Sequence, residues 1–302
     1  MTKSTKWFLG ILGVLALLVL AIVAFFYWML PSSDEQMETV TSGSGDKIAV
    51  VELRGEIFSS EDIVRQIKKY RTNRSIRAIL LRIESPGGGV TASQEIYEEV
   101  RATRDAGKPI VISMGSIAAS GGYYVACGGS RLVANRATLT GSIGVISEFL
   151  QYGDALRKLG IDIKTIKSGR LKDTGSPMRK MTEGEQKYLQ SLMDEVHKQF
   201  VSVVENERDL DHDEVVALAD GRVFTGEQAV GLGLVDTLGT YEEAIKITAD
   251  LVGIRGEPSL VKERKRAAWW EPLLGDANAA VKALKQEFLE RPILSYRYAG
   301  PQ

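Results

Sequence analysis

The sequence predicts an α/β protein with a largely parallel sheet. Short apolar runs alternate with stretches of helical period along the chain, and glycine or polar residues separate them. The first three pairs are Ile48 to Leu53 with Ser60 to Tyr70, Ala78 to Ile83 with Ala92 to Arg104, and Ile110 to Ser113 with Ala119 to Ala126. Strands that alternate with helices in this way are typical of a parallel sheet covered by helices. The composition agrees, because 44% apolar and 25% charged residues are ordinary for a globular protein.

The second half of the domain continues with shorter strands and longer helices. Further strands are predicted at Leu132 to Ala134, Ser142 to Ile146 and Ile161 to Ile166. Further helices are predicted at Tyr152 to Leu159, Met181 to Arg208, Asp213 to Ala219, Gly226 to Gly231 and Tyr241 to Leu251.

Charge and residue counts exclude several function classes. A net charge of −1 and a pI near 6.3 give no support to nucleic-acid binding. The single cysteine, Cys127, has no partner for an intrachain disulfide, and the two histidines, His197 and His212, lack metal-ligand spacing. We therefore expect no metal and no cofactor. Any serine chemistry must use a base other than histidine.

The N-terminus predicts a membrane anchor. The stretch from Trp7 to Leu30 carries no charge, and as a helix it would span about 36 Å, enough to cross a bilayer. A cleaved signal peptide is the alternative, but bulky aromatic residues stand where its cleavage site would lie. Lysines before the segment and acidic residues after it place the N-terminus in the cytoplasm and the rest on the extracytoplasmic side. The predicted organisation is an anchor at 1–30, a flexible tether at 31–46, a globular domain at 47–253 and a tail at 254–302 with one helix at Ala277 to Glu290.

A serine among small residues is the first candidate for chemistry. Ser120 lies in the segment Gly115 to Tyr124, where a strand gives way to a helix. Small neighbours leave its hydroxyl accessible, and a helix that begins there points unpaired backbone N–H groups at the group under attack. Ser120 is therefore the candidate nucleophile. The alternative is that the small residues only let two backbones pack closely.

A glycine-rich turn follows the strand at Ala78 to Ile83. Gly87, Gly88 and Gly89 allow backbone N–H groups to approach a substrate without an intervening Cβ. The turn lies at the carboxyl end of the sheet, where α/β folds bind ligands. The phosphate-binding patterns of glycine-rich loops are absent, so an oxyanion hole or a ledge for substrate backbone is the functional interpretation. The alternative interpretation is that the three glycines only form a tight turn.

Two further segments offer a base and a hydroxyl. Lys172 lies on a predicted loop that begins where a strand ends, and Ser142 lies between glycines in Thr140 to Val145. A lysine at its unperturbed pKa of about 10.4 is only ~0.1% neutral near pH 7.4, so catalysis would require burial. A hydroxyl such as that of Ser142 could hold the neutral amine in place.

Taken in order, four motifs resemble those of the signal peptide peptidase A family. They are Ser-Pro-Gly-Gly-Gly-Val at 85–90, Gly-Ser-Ile-Ala-Ala-Ser-Gly-Gly-Tyr-Tyr at 115–124, Thr-Gly-Ser-Ile-Gly-Val at 140–145 and Ser-Gly-Arg-Leu-Lys-Asp at 168–173. The resemblance implies a Clp-protease/crotonase-like ββα spiral domain and a serine-lysine dyad. It makes Ser120 the nucleophile, Lys172 the general base and Ser142 the residue that orients the lysine. The oxyanion hole would use Gly121 with Gly88, or with Gly87.

The resemblance also implies an assembly and a substrate class. Short members of the family need neighbouring copies, so we expect a homo-oligomeric ring, with eight subunits as the family pattern, in which Ser120 of one subunit meets Lys172 of another. The expected substrates are remnant signal peptides, cut at small or aliphatic residues. The alternatives are a serine-lysine protease of membrane proteins, a crotonase-type acyl-CoA enzyme and a catalytically silent ring-forming scaffold. The segment Tyr296 to Gly300 is expected to enter a neighbouring site.

Overall fold

The computed structural model describes residues 46–264 and 294–298, the backbone of a strand at Met37–Thr41, and a few isolated positions between Trp7 and Ala21. The predicted anchor therefore lies almost wholly outside the described residues, and so does the helix predicted at Ala277 to Glu290. Within the described part of the chain, no helix is long and apolar enough to cross a membrane.

The described residues form strands and helices that alternate along most of the chain. The strands are β1 Met37–Thr41, β2 Lys47–Arg54, β3 Ile76–Ser85, β4 Gly87–Gly89, β5 Ile110–Ala119, β6 Arg131–Ala134, β7 Leu139–Gly141, β8 Val223–Thr225, β9 Thr237–Leu238, β10 Ser259–Arg264 and β11 Ser295–Arg297. The helices are α1 Glu61–Thr72, α2 Val90–Asp105, α3 Gly121–Cys127, α4 Gly153–Lys158, α5 Glu183–Arg208, α6 His212–Leu218, α7 Gly226–Gly231 and α8 Tyr241–Leu251.

The main sheet is largely parallel, as predicted. Its order is β1-β10-β2-β3-β5-β6-β9, and β7 pairs with β5 beyond the end of β6. The pairs β10–β2, β2–β3, β3–β5, β5–β6 and β6–β9 are parallel, while β1 and β8 run antiparallel to their neighbours. The short pair of β11 and β4 forms a second sheet. The mixed α/β prediction is confirmed.

Alternation along the strands divides the core between the two faces of the sheet. On β3, Ile79 and Leu81 pack into the larger core with α1, α2, α3 and α5, while Leu80 between them packs on the other face against α8. Both faces are therefore covered, which explains why the central strands read as continuous apolar runs rather than as alternating ones. The carboxyl ends of β3 and β5 open onto the same edge of the sheet, where β4 and α3 begin.

The structure differs from the predicted elements at three places. The segment Ser142 to Ile146 is irregular and contributes only a single bridge at Ile146, and Ile161 to Ile166 forms no strand. Residues 37–41, expected in a flexible tether, form a strand on β10, which itself extends the sheet beyond residue 253. The first two predictions are wrong because apolar spacing alone does not supply a partner strand.

Candidate active site

Ser120 is the single residue between β5 and α3. Its backbone has φ 53° and ψ −117°, a conformation that residues with a Cβ rarely adopt. Such backbone strain persists only where surrounding structure enforces it, and it clusters at functional sites. The side chain is buried, and its Oγ has no hydrogen-bond partner among the described residues. A strained strand-to-helix turn is the position that nucleophilic serines take in other hydrolases. The expectation of an accessible hydroxyl is not met in the single chain, because Ser120 is buried.

Hydrogen bonds on both sides fix this conformation. The Ser120 N–H donates to the Gly141 carbonyl at 2.7 Å, and the Ser120 carbonyl accepts from the Tyr124 N–H at 2.8 Å. Close packing is also real here, because a Cβ on Gly122 would lie 2.9 Å from the Ser85 carbonyl oxygen. The small residues therefore allow close backbone packing, and they also surround the candidate nucleophile.

The glycine turn forms the short strand β4 beside Ser120. Its outer edge pairs with Ile57, whose N–H donates to the Gly87 carbonyl at 2.9 Å and whose carbonyl accepts from the Gly89 N–H at 2.8 Å. A Cβ on Gly88 would lie 2.3 Å from the Ile57 carbonyl oxygen, and Gly87 has φ +98°. Since Ile57 takes the polar groups of Gly87 and Gly89, those of Gly88 face the opposite side.

On that opposite side lies a peptide segment from the C-terminal tail of the same chain. β11 pairs antiparallel with β4, in the register Ser295 with Gly89, Tyr296 with Gly88 and Arg297 with Gly87. The Val90 N–H donates to the Leu294 carbonyl at 3.2 Å, and the Tyr298 N–H donates to the Pro86 carbonyl at 2.8 Å. Because hydrogen-bonded pairs alternate in an antiparallel ladder, Tyr296 and Gly88 are the hydrogen-bonded pair between these two.

The tail brings a peptide carbonyl to the start of α3. A Cβ on Gly87 would lie 1.9 Å from the Tyr296 carbonyl oxygen and 2.6 Å from the Gly121 nitrogen, so both atoms lie next to Gly87. Gly121 is the first residue of α3, and its N–H has no acceptor within the helix. The N–H groups of Gly88 and Gly121 therefore border one carbonyl oxygen. The tail segment was expected to enter a neighbouring site, but it lies in the cleft of its own chain.

Ser142 lies beside Ser120 in the structure. It follows β7, which pairs with the end of β5 in the register Ala119 with Gly141. Ser142 is buried, has φ 51°, and donates its N–H to the Arg222 carbonyl at 2.8 Å. The fold thus brings Ser120, Ser142 and the glycines together at one edge of the sheet.

Lys172 is placed differently. It lies in a series of turns, exposed to solvent, and its backbone N–H donates to the Gly169 carbonyl at 3.1 Å. Its side chain makes no hydrogen bond or ion pair with another residue in the described ranges. The structure of one chain does not bring Lys172 into contact with the buried hydroxyl of Ser120. In the same described ranges, no cluster of histidine, cysteine, aspartate and glutamate side chains could hold a metal ion.

Comparison with known proteins assigns the family. Residues 102–255 match the model of peptidase family S49. A Synechocystis protein named "Putative protease slr0021" is 44% identical over 69% of this chain and 75% of its own length. The "Putative signal peptide peptidase SppA" of Enterococcus faecium is 40% identical over 63% of this chain and 55% of its own length. The "Protease 4" of Salmonella typhi is 34% identical over 70% of this chain and 36% of its own length.

The chain belongs to the signal peptide peptidase A family. It is a serine peptidase that acts on peptide bonds. The chain spans about half the length of the Enterococcus protein and about a third of the length of the Salmonella protein.

The loop that carries Lys172 in this peptidase is held by a cluster of charges that the sequence analysis missed. Arg179 donates to Asp173 at 2.9 Å through Nε and to Glu185 at 2.8 Å through Nη1, and Lys167 also pairs with Asp173. Arg179 holds the pKa of Asp173 well below its usual range. Arg179 and the Thr182 N–H lower the pKa of Glu185 from 4.5 to about 2. The loop is thereby fixed to the N-terminus of α5.

A second residue that the sequence analysis missed, Glu84, joins the ends of β3 and β5. The Glu84 carboxylate, at the end of β3, accepts hydrogen bonds from the Ser116 N–H at 2.9 and 3.1 Å and from the Ile117 N–H at 3.3 Å. A Cβ on Gly115 would lie 1.7 Å from its Oε2. In this peptidase the carboxylate therefore ties the end of β3 to the last part of β5. In the sequence, the only sign of this contact is an acidic residue near the end of one strand, Glu84, and a glycine in the next, Gly115.

Proposed function

We propose that the protein is a membrane-tethered serine endopeptidase in which Ser120 and Lys172 form a catalytic dyad. One observation carries the proposal: an extended peptide pairs with β4 and presents a carbonyl to Gly121, directly after Ser120. Proteases hold substrates in extended conformation by main-chain pairing, and they stabilise the developing oxyanion with backbone N–H groups. In this account the oxyanion hole consists of the N–H groups of Gly88 and Gly121. Gly87 supplies the room that the carbonyl needs.

The chemistry follows from these positions. Neutral Lys172 takes the proton from the Ser120 hydroxyl, and Oγ attacks the carbonyl carbon of the scissile peptide. The tetrahedral intermediate collapses, the leaving amine takes the proton back, and an acyl-enzyme remains on Ser120. Lys172 then removes a proton from water, whose oxygen attacks the ester. When this second tetrahedral intermediate collapses, the Ser120 Oγ takes the proton back from Lys172, the acid is released and the amine is neutral again. Ser142 accepts or donates a hydrogen bond that holds the lysine amine toward Ser120.

Lys172 reaches Ser120 from a second copy of the chain in this proposal. The side chain is exposed in one chain, whereas a general-base lysine must be desolvated to be neutral. Large apolar side chains just upstream of its loop are exposed as well, and contiguous apolar surface marks contact sites. They are Leu150 at 76%, Leu159 at 75%, Ile161 at 48%, Ile163 at 53% and Ile166 at 90% exposure. A homo-oligomeric ring, of eight subunits by the family pattern, would cover both the lysine and this surface.

The remaining parts of the proposal concern fold, place and substrate. The parallel sheet with its covering helices is assigned to the Clp-protease/crotonase-like ββα spiral. The apolar stretch Trp7 to Leu30 would anchor the chain in the cell membrane, with the catalytic domain on the extracytoplasmic side. Remnant signal peptides and other apolar peptides at that surface are the proposed substrates. A related activity on membrane proteins would use the same residues.

The test is cleavage of an apolar signal peptide by the full chain in detergent, with Ser120→Ala and Lys172→Ala run beside it. Lys164→Ala, a change of another exposed lysine, is the matched control. We expect both site changes to abolish cleavage while the oligomer, measured by light scattering, persists, and the control to cleave normally. Undiminished cleavage by Lys172→Ala would contradict the dyad. Failure of the unaltered chain to react with a serine-directed phosphonate would favour the catalytically silent scaffold.

A further inference from the structure

The geometry points to an acidic subsite, formed by Glu56 and Glu148, that selects a basic side chain in the residue directly after the cut. One carboxylate comes from the β4 side of the cleft and the other from the Ile146 side. This inference rests on the proposed peptidase site and names the specificity of its leaving side. The observation that carries it is an arginine of the tail, Arg297, whose side chain lies between the two carboxylates.

The tail segment has backbone partners on both sides. On one side it pairs with β4, in the register Ser295 with Gly89 and Arg297 with Gly87. On the other side Ser295 exchanges main-chain hydrogen bonds with Ile146, at 3.0 and 3.1 Å. Main-chain pairing of this kind holds a peptide whatever its sequence, and side-chain contacts provide the selectivity. The contacts of Arg297 therefore show what this cleft selects at one position.

The position of the tail relative to Ser120 defines which substrate residue is selected. The Tyr296 carbonyl oxygen lies next to Gly87 and the Gly121 nitrogen, where the proposed mechanism places the oxygen of the scissile carbonyl. Tyr296 therefore corresponds to the residue on the acyl side of the cut. Arg297 corresponds to the first residue of the leaving peptide, whose nitrogen becomes the new amino terminus.

Glu56 is held in place by the backbone on the β4 side of the cleft. The residue before it, Gly55, donates its N–H to the Glu84 carbonyl at 2.9 Å. The residue after it, Ile57, donates its N–H to the Gly87 carbonyl, also at 2.9 Å. Since both neighbours are bonded to the end of β3 and to β4, the Glu56 side chain starts from a fixed point beside the cut.

Glu148 lies on the opposite side of the cleft, and the Arg297 guanidinium joins the two sides. Arg297 Nη2 donates to Glu148 Oε2 at 3.1 Å, and its Nη1 lies 3.7 Å from Glu56 Oε2. The arginine side chain is only 17% exposed, so most of its surface is removed from water. A guanidinium carries donors on separate nitrogens in one plane, whereas a lysine ammonium is a single point charge. Carboxylates on two sides therefore suit arginine better than lysine.

The same two charges should reject an acidic residue. A substrate carboxylate at this position would meet two like charges, and juxtaposed like charges suppress binding of the wrong partner. The attraction for arginine is more modest, because the Glu148 side chain is half-exposed and water screens its charge. We therefore expect a moderate preference for arginine over a neutral side chain and a stronger rejection of glutamate.

The experiment measures cleavage of quenched peptides by the full-length enzyme in detergent. The peptides share the frame Leu-Ser-Tyr-X-Tyr, which copies residues 294–298, with X as arginine, citrulline, leucine or glutamate. Citrulline has nearly the shape of arginine without its charge, so this pair isolates the charge. We expect kcat/KM for arginine to exceed that for citrulline by about fivefold and that for glutamate by about 50-fold. Mass spectrometry of the products should place the cut directly before X.

Removal of both charges tests the subsite itself. In the double variant Glu56→Gln/Glu148→Gln, the preference for arginine over citrulline should disappear. The two peptides compete in one reaction, so the ratio of their kcat/KM values does not depend on how often the tail of the chain occupies the cleft. Release of the tail by these changes therefore cannot imitate the expected result. Glu227→Gln, which removes an exposed ion pair with Arg136, is the matched control and should keep the preference.

The outcomes that would overturn the inference differ in what they leave standing. Equal cleavage of the arginine and citrulline peptides, or a cut at another bond of the frame, would refute the acidic subsite and leave the proposed peptidase intact. A fivefold preference that persists in the double variant would refute the assignment to Glu56 and Glu148. Absence of any cleavage, together with absence of phosphonate labelling at Ser120, would refute the proposed function and the subsite with it.

Discussion

The two halves of the proposed dyad are held in opposite ways. Ser120 is buried at the junction of β5 and α3, with a strained backbone fixed by hydrogen bonds to the Gly141 carbonyl and from the Tyr124 N–H. Lys172 is exposed on a loop of turns that the ionic cluster around Arg179 ties to the N-terminus of α5. One half is completed by the fold of a single chain, while the other is presented outward.

This difference indicates where regulation of the activity would lie. A nucleophile set by the core of the domain persists whenever the domain is folded. A base on an exposed loop becomes a base only when another surface buries it. Assembly would therefore control the catalytic step, and folding alone would not.

The largest effect should come from breaking the buried half. Ser120→Ala should reduce cleavage by at least about 10⁴-fold, because no other hydroxyl occupies the strained turn. Ser116→Ala, an exposed serine on the same strand, is the matched control and should retain activity. Cleavage rates of an apolar peptide provide the measurement, and comparable losses in both variants would show that the turn, rather than the hydroxyl, is being damaged.

The exposed half should be sensitive to the cluster that holds its loop. Arg179→Met would leave Asp173 and Glu185 without their shared cation, so the Lys172 loop should loosen and kcat should fall by about 10- to 100-fold. KM should change little, since Arg179 lies in the Lys172 loop and not in the pairing with β4. Arg157→Met, which removes an exposed ion pair with Asp154, serves as the control. A rise in KM with kcat unchanged would contradict a positioning role.

Release of the tail from the cleft should make Ser120 more reactive, whereas the two changes above reduce activity. Tyr296→Ala removes a buried ring that packs against Tyr124 and Phe200, so the tail should leave the cleft more often. Ser120 should then react with a serine-directed phosphonate about tenfold faster. Tyr298→Ala, two residues further on and half-buried, should have a smaller effect. Equal labelling rates in the unaltered chain and in Tyr296→Ala would show that the tail does not limit access.

The smallest effect should be a dependence of the Lys172 loop on acid. Arg179 lowers the pKa of Glu185 from 4.5 to about 2, so the carboxylate fixes the loop fully above pH 4.5 and progressively less as the pH falls toward 2. The protection factors of residues 167–179, which correct hydrogen exchange for the pH dependence of its chemical rate, should therefore fall across that range in the unaltered chain. In Arg179→Met these protection factors should already be low at pH 6. A flat profile in the unaltered chain would contradict the role of this ion pair.

The sequence predicted the central fold well for a physical reason. Strands such as β3 and β5 are buried on both faces and read as continuous apolar runs, and helices such as α5 carry a clear helical period. The position of Ser120 between strand and helix also follows from the sequence, since small residues mark the junction. What these features share is that local pattern and tertiary environment agree.

The remaining features depend on partners that are distant in the sequence. β11 is only three residues long and forms because β4 offers it an edge, far away in the chain. The apolar spacing of Ile161 to Ile166 suggested a strand, yet the segment finds no partner strand among the described residues and stays exposed. The Arg179 cluster joins a loop to a helix terminus, and single charged residues give no signal of such pairing.

The most direct test of the divided site is to mix two inactive variants. Ser120→Ala supplies an intact lysine and Lys172→Ala supplies an intact serine, so a mixed oligomer contains sites that combine the two intact residues. With random mixing in equal amounts, we expect recovery of about a quarter of the activity of the unaltered protein, because each site draws its serine and its lysine from different copies. If the mixed oligomers form but remain inactive, both residues of a site come from one chain and the divided site is refuted.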